Sequence, residues 1–129
     1  MIEQKILDAF ETMWGPFPEP VMLIHKDRTI LARNELARTA GIPEGIKCFS
    51  LNPDAASSAC KHCKANLALR EQRAVSTEET QNGNRVIGYW MPLKDDREVY
   101  VHFGVGVAES MGMKPNAPTA ASELVDLQH

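Results

Sequence analysis

Residues 98 to 108 read Glu-Val-Tyr-Val-His-Phe-Gly-Val-Gly-Val-Ala, so Val99, Val101, Phe103, Val105 and Val107 alternate strictly. Successive side chains of a strand point to opposite faces, so this pattern demands a strand with one apolar face. Two further strand-like segments lead into it. Arg85 to Leu93 is joined to it by a turn at Lys94-Asp-Asp-Arg97, and Ala74 to Thr80 is joined to that by Gln81-Asn-Gly-Asn84. Asn-Gly adopts the left-handed conformations that a two-residue hairpin turn requires. The stretch from 74 to 108 is therefore expected to be a three-stranded antiparallel meander. The rest of the chain must supply what covers it.

The front half begins with an amphipathic helix over residues 2–13. Ile2, Ile6, Ala9, Phe10 and Met13 fall on one stripe, and Gly15-Pro16 stops the helix. Val21-Met-Leu-Ile-His25 and Thr29-Ile-Leu-Ala-Arg33 are two strands around a tight turn at Lys26-Asp-Arg28. Asn34 is a good N-cap for a short helix ending at Gly41. Ser57 or Ser58 is placed to cap a longer helix running to about Arg73, with Cys60, Cys63 and Leu67 on one face. From Ser110 core periodicity is lost, and residues 110–129 read as a flexible tail or linker with one helical turn at Ser122 to Leu127.

At 129 residues the chain is long enough for one domain with a real core. Its apolar runs are too short to span a bilayer, and its N-terminus lacks a signal-peptide core, so a cytoplasmic protein with no membrane contact is expected. A net charge of −3 gives no basis for a nucleic-acid partner.

The order helix, two strands, short helices, helix, three strands resembles the PAS fold. Pro20 to Asn34 looks like the first PAS hairpin leading into its short helix, and Tyr100 to Val107 looks like the last PAS strand. The resemblance covers residues 1 to about 109. It implies an α+β fold: a five-stranded antiparallel sheet with helices on one face, and residues 1–14 as a flanking helix. It also implies a sensory role, with a signalling partner such as a histidine kinase or regulator, and pairing into a homodimer through the flanking helix. The apolar stripe of that helix serves a dimer or covers its own sheet; the sequence does not choose. Cys48-Phe49 followed by Cys60-Lys-His-Cys63 is similar to a subset of sensor PAS domains carrying Cys-aromatic and Cys-x-x-Cys. Lysines and a histidine stand here where the commoner form has prolines.

All three cysteines thus fall within one loop, Cys48 to Cys63. Three thiolates and a fourth ligand make a metal site, so Cys48, Cys60 and Cys63 are candidate ligands of zinc or an iron–sulfur cluster. His62, His102, His25, Asp54, water or a second subunit is the candidate fourth. A thiol–disulfide switch is the second reading, because a helix N-terminus with Lys61 and Lys64 nearby favours thiolates. Three packed core cysteines are the third. Lys64, not His, follows the pair, so the c-type haem signature is absent.

His102 and Trp90 are the candidate cofactor-binding residues, set on strands whose inner face lines the ligand pocket of PAS domains. The bland alternatives are a hydrogen-bonded sheet histidine and a core tryptophan. A small organic or flavin-like ligand there is the alternative to a metal. Gly104 and Gly106 leave room in their strand, for a ligand or for a packed helix. The paired acids Glu78-Glu79 and Asp95-Asp96 read as solvated-face or turn residues. No phosphate-cradling loop, nucleophile elbow or metalloprotease helix is present, so no enzyme is expected; thiol oxidoreductase is the remaining catalytic reading.

Overall fold

The computed structural model describes residues 3–51, 63–94 and 96–113. The Ser57/Ser58 cap, Asp54, Cys60, His62, Asp95 and the expected turn at Ser122 to Leu127 lie outside the described residues. Helix α1 (Gln4–Trp14) is followed by strands β1 (Val21–His25) and β2 (Ile30–Arg33), helix α2 (Glu35–Thr39) and a 3-10 turn at Cys48–Leu51. Helix α3 (Ala65–Glu71), strands β3 (Val75–Gln81), β4 (Asn84–Leu93) and β5 (Asp96–Val105), and a short helix α4 (Val107–Ser110) complete the chain order. The strands form one antiparallel sheet in the order β2-β1-β5-β4-β3. The α+β architecture and the five-stranded sheet are those expected from the sequence.

The meander forms as its turn residues dictate. Asn82 and Gly83 both have positive φ, 50° and 79°, which gives the two-residue turn the twist that paired strands need. β5 lies at the centre of the sheet and is covered on both faces. Its Val99 and Val101 pack with Val21, Leu23 and Phe10 on the outer face. Its Tyr100 packs with Ile24, Trp90, Val75, Ala65 and Ala68 on the inner face.

Helix α1 covers its own sheet. Phe10 is buried in the outer-face core, with Ile6, Leu7 and Trp14 against it. Met13, on the apolar stripe read from the sequence, is 72% exposed. Trp14, Phe17 and Phe103 then pack ring on ring at 5.0 to 5.5 Å.

Asn34 is the polar pin of this region. It caps α2 as expected, its Oδ1 accepting from Ala37 N at 3.0 Å. The same oxygen accepts from Val21 N at 2.9 Å, and Nδ2 donates to the carbonyls of Glu19 (2.9 Å), Trp14 (3.1 Å) and Phe17 (3.3 Å). One buried amide thereby ties the end of α1, the proline linker, β1 and α2 together.

Two expectations are corrected. Cys63 does not ride on the long helix: α3 begins at Ala65 with Lys64 as its cap residue, and Cys63 precedes the first turn. Ala65 and Ala68 are fully buried, which seats the helix close on the sheet from its start. Val107 does not continue β5. Gly106 turns the chain with φ 99°, and Val107 opens α4 instead.

Candidate functional site

The inner face of the sheet, between α3 and α4, holds a cavity of about 290 Å³. Strand parity decides its walls. Trp90 pairs with His102, Gly88 with Gly104 and with Thr77, and Glu79 with Val86, so these side chains share one face. Met22 of β1, Cys63 before α3, and Val107 and Met111 at α4 close the sides.

The Trp90 indole stacks on the His102 imidazole with centroids 4.7 Å apart. Trp90 is only 7% exposed. His102 Nδ1 lies 2.8 Å from the carbonyl oxygen of Tyr89. A carbonyl only accepts, so Nδ1 carries the proton and Nε2 of the neutral ring is an acceptor. Burial pushes the His102 pKa down from 6.5, against the Tyr89 hydrogen bond and the Glu79 carboxylate, which raise it. The ring is therefore neutral at physiological pH.

Glycines shape the cavity unequally. A Cβ on Gly88 would meet the Trp90 ring at 3.6 Å and Thr77 Oγ1 at 3.7 Å, ordinary contacts. A Cβ on Gly104 would sit 2.5 Å from Val107 Cγ2. Gly104 thus admits α4, and Gly88 leaves open floor. α4 is held from below by Glu19, whose two carboxylate oxygens accept from Gly106 N at 2.7 Å and Ala108 N at 2.8 Å.

Beside the cavity, Cys48 and Cys63 both pack against the inner core that contains Tyr100. The Tyr100 hydroxyl is buried without a nitrogen or oxygen partner among the described residues. Burial drives its pKa well above the ordinary tyrosine value. The Cys48 thiol, by charge and hydrogen bond, and the Cys63 thiol push the same way, and Arg28 opposes them. Arg28 is 6% exposed, takes φ 79°, and sets its guanidinium 5.9 Å above the Tyr100 ring. Its Nη2 donates to Asn66 Oδ1 at 2.9 Å, while its Nε has no partner and no carboxylate pairs with it among the described residues. Arg28 O also accepts from Cys48 N at 2.8 Å, which fixes where the cysteine turn begins.

No family model matches the chain, and no curated protein matches it. Solved structures do. A domain of an HTR-like protein from Haloarcula marismortui superposes with TM-score 0.53 at 17% identity, over 67% of this chain and 95% of that one. A sensory box sensor histidine kinase from Vibrio cholerae superposes with TM-score 0.54 at 16% identity, over 78% and 86%. The fold is PAS-like. The PAS domain of Bordetella pertussis BvgS, at 16% identity over 86% and 94%, has a TM-score of 0.46, too low to bear on this.

Within this PAS-like frame, three of the eight candidate site residues read from the sequence line one cavity: Cys63, Trp90 and His102. Cys48 lies on the adjoining core, and Cys60 and His62 fall outside the described residues. His25 is remote from them in role. It sits at the hairpin end, with Nδ1 3.2 Å from Asp27 and Nε2 3.5 Å from Glu98. No group of three His, Cys, Asp or Glu side chains that could hold a metal occurs among the described residues, and no described helix is long and apolar enough to cross a membrane. The sequence reading missed Gly88, Thr77, Arg28 and the place of the exposed Glu79 at the cavity rim. For the first two, and for Glu79, the signal was present in strand parity, since they fall in register with Trp90 and His102. Arg28 gave no signal, because a positive-φ arginine in a turn looks like any solvated one.

Proposed function

We propose that this chain is a PAS-type sensory module, without catalytic activity, that binds a small molecule in its inner-face cavity and relays occupancy to a signalling protein partner such as a histidine kinase or regulator. The observation that carries this is the joint placement of Trp90, His102 and Cys63 on the wall of a cavity that α4 helps to close. A largely apolar cavity with a few convergent polar groups is the usual form of a small-ligand site. Val107 and Met111 belong both to the wall and to the segment leading into residues 114–129, so an occupant bears directly on the exit of the chain. The sensor histidine kinase among the structural neighbours supports the choice of partner class. A homodimer belongs to this reading. It is supported by an apolar groove of about 330 Å³ along α1, lined by Ile6, Ala9, Met13 and Leu93.

The test is a binding screen of small aromatic probes on the full chain, with and without Gly88→Leu. Probes that bind the wild type and are lost from the variant support the cavity. Probes that bind both alike overturn it.

A second reading places the signal at the cysteines. It is favoured by Cys48 and Cys63 sharing one core patch under Arg28 and Tyr100. Zinc or an iron–sulfur centre would be held by Cys48, Cys60 and Cys63 with His62 as fourth ligand; without metal, Cys60 and Cys63, or Cys48 and either of them, form a redox-sensitive pair. Metal analysis of the purified chain separates these. Stoichiometric zinc or iron that is lost in Cys48→Ser supports the centre. Metal-free protein whose thiols form no disulfide under mild oxidation removes both.

A further inference from the structure

The cavity reading says where a ligand sits, and the polar groups on the wall say what kind. We propose that the cavity selects a small nitrogen cation, a protonated amine or quaternary ammonium on an apolar body about one ring in size. The inference rests on the cavity reading above and names its ligand class.

Glu79, solvent-exposed on the edge strand β3, stands at the open rim of the cavity and is the one charged side chain on the described wall, which carries neither lysine nor arginine. It lies on β3 opposite Val86, in register with Thr77 and Gly88, and so faces the cavity; its sequence neighbour Glu78 faces the other way and bonds Arg85. Oε1 of Glu79 accepts from Gln81 Nε2 at 3.0 Å, and Oε2 has no partner among the described residues. The second acceptor is Nε2 of His102, left without a proton because Nδ1 donates to Tyr89 O. The carboxylate is felt at that ring, since Glu79 acts to raise the His102 pKa. Two acceptors therefore face a ligand from different strands, and the Trp90 indole adds an aromatic surface that attracts a cation.

The same wall rejects anions. A carboxylate or phosphate ligand would meet Glu79 with no basic group to offset it, and burying an unpaired charge is costly. Size follows from volume. At about 290 Å³ the cavity lies at the lower end of the roughly 300–1,000 Å³ common for ligand pockets, so one ring with a short substituent fits within it.

The experiment uses four probes on the full chain, the near-isosteric benzylamine, benzyl alcohol and benzoate and the bulkier benzyltrimethylammonium, titrated by calorimetry or NMR. The two cations are expected to bind about fivefold tighter than benzyl alcohol, the gain of one partly exposed charge pair, with benzoate weakest. Glu79→Gln should bring the cations down to the level of benzyl alcohol, whereas Glu78→Gln on the opposite face should leave their advantage in place. Benzyl alcohol or benzoate binding as tightly as benzylamine overturns the cation assignment, as does an advantage that survives Glu79→Gln. If all four bind alike and Gly88→Leu abolishes them, the cavity reading stands and the cation assignment falls. If none binds, both fall.

Discussion

The Trp90 indole and the His102 imidazole lie against each other across β4 and β5, their planes 22° from parallel. The stack fixes the plane of the histidine ring while its Nδ1–H is spent on Tyr89 O.

Acid should weaken the fold through His102. Its folded pKa lies below 6.5, so between 6.5 and that lower value the unfolded chain takes up a proton that the folded chain refuses. This contribution is complete above 6.5 and is lost as the pH falls below it. Glu98, Glu78 and Glu71 stay ionised in that window, because Lys26, Arg85 and Arg73 hold them below the usual carboxylate range. Urea unfolding at about pH 7.5 and about pH 5.5 should show a larger loss for the wild type than for His102→Gln. An equal loss in both would refute it.

The two paired glycines should respond unequally to one methyl group. Gly88→Ala gains only ordinary contacts and should change stability by less than about 1 kcal/mol. Gly104→Ala drives a Cβ into Val107 and should cost about 1–3 kcal/mol, with α4 loosened as seen by amide exchange at Ala108 to Met111. Equal costs at the two positions would show that α4 does not pack on Gly104.

Asn34→Ala removes five hydrogen bonds from a fully buried site. It strands the Val21 and Ala37 N–H groups and should lower stability by about 2–4 kcal/mol. Asn34→Asp keeps the two accepted bonds but sets a carboxylate against three carbonyl oxygens, so it should not rescue. Chemical denaturation of the two variants checks both statements.

Tyr100→Phe should be nearly silent. The hydroxyl is buried with no oxygen or nitrogen partner among the described residues, and thiols are weak hydrogen-bond partners. Removing it should change stability by less than about 1 kcal/mol in either direction. A large loss would mean that the hydroxyl is bound by a group at the cysteine loop.

What was legible in the sequence was local. The Asn82-Gly83 turn, the Asn34 cap and the alternation of Val99, Val101 and Phe103 each carry their cause within a few residues. What was missed depends on partners far along the chain. Val107 continues the alternation, yet Glu19, 87 and 89 residues before its two bond partners, captures Gly106 and Ala108 and turns the strand into α4. Met13 fits the apolar stripe of α1, but the sheet meets the helix at Phe10 and Leu7 and leaves it outside. Glu79 is solvent-exposed on the edge strand β3, as read from the sequence; only the register with β4 sets it at the cavity rim. For the site, Trp90, His102 and Cys63 were legible as types worth noting. That the first two and Cys63 share one cavity followed from the start of α3 at Ala65, two residues after the cysteine, which helical periodicity had placed on the helix.

The central claim is that the inner face of this PAS-like sheet is where the protein takes a small ligand. An amide and indole NMR titration with benzylamine and benzyl alcohol tests it most directly. The account predicts shifts concentrated at Gly88, the Trp90 indole, His102, Gly104 and Val107, saturating together and absent in Gly88→Leu. Shifts confined to the outer groove at Ile6, Phe10 and Met13, or none at any residue, would contradict it.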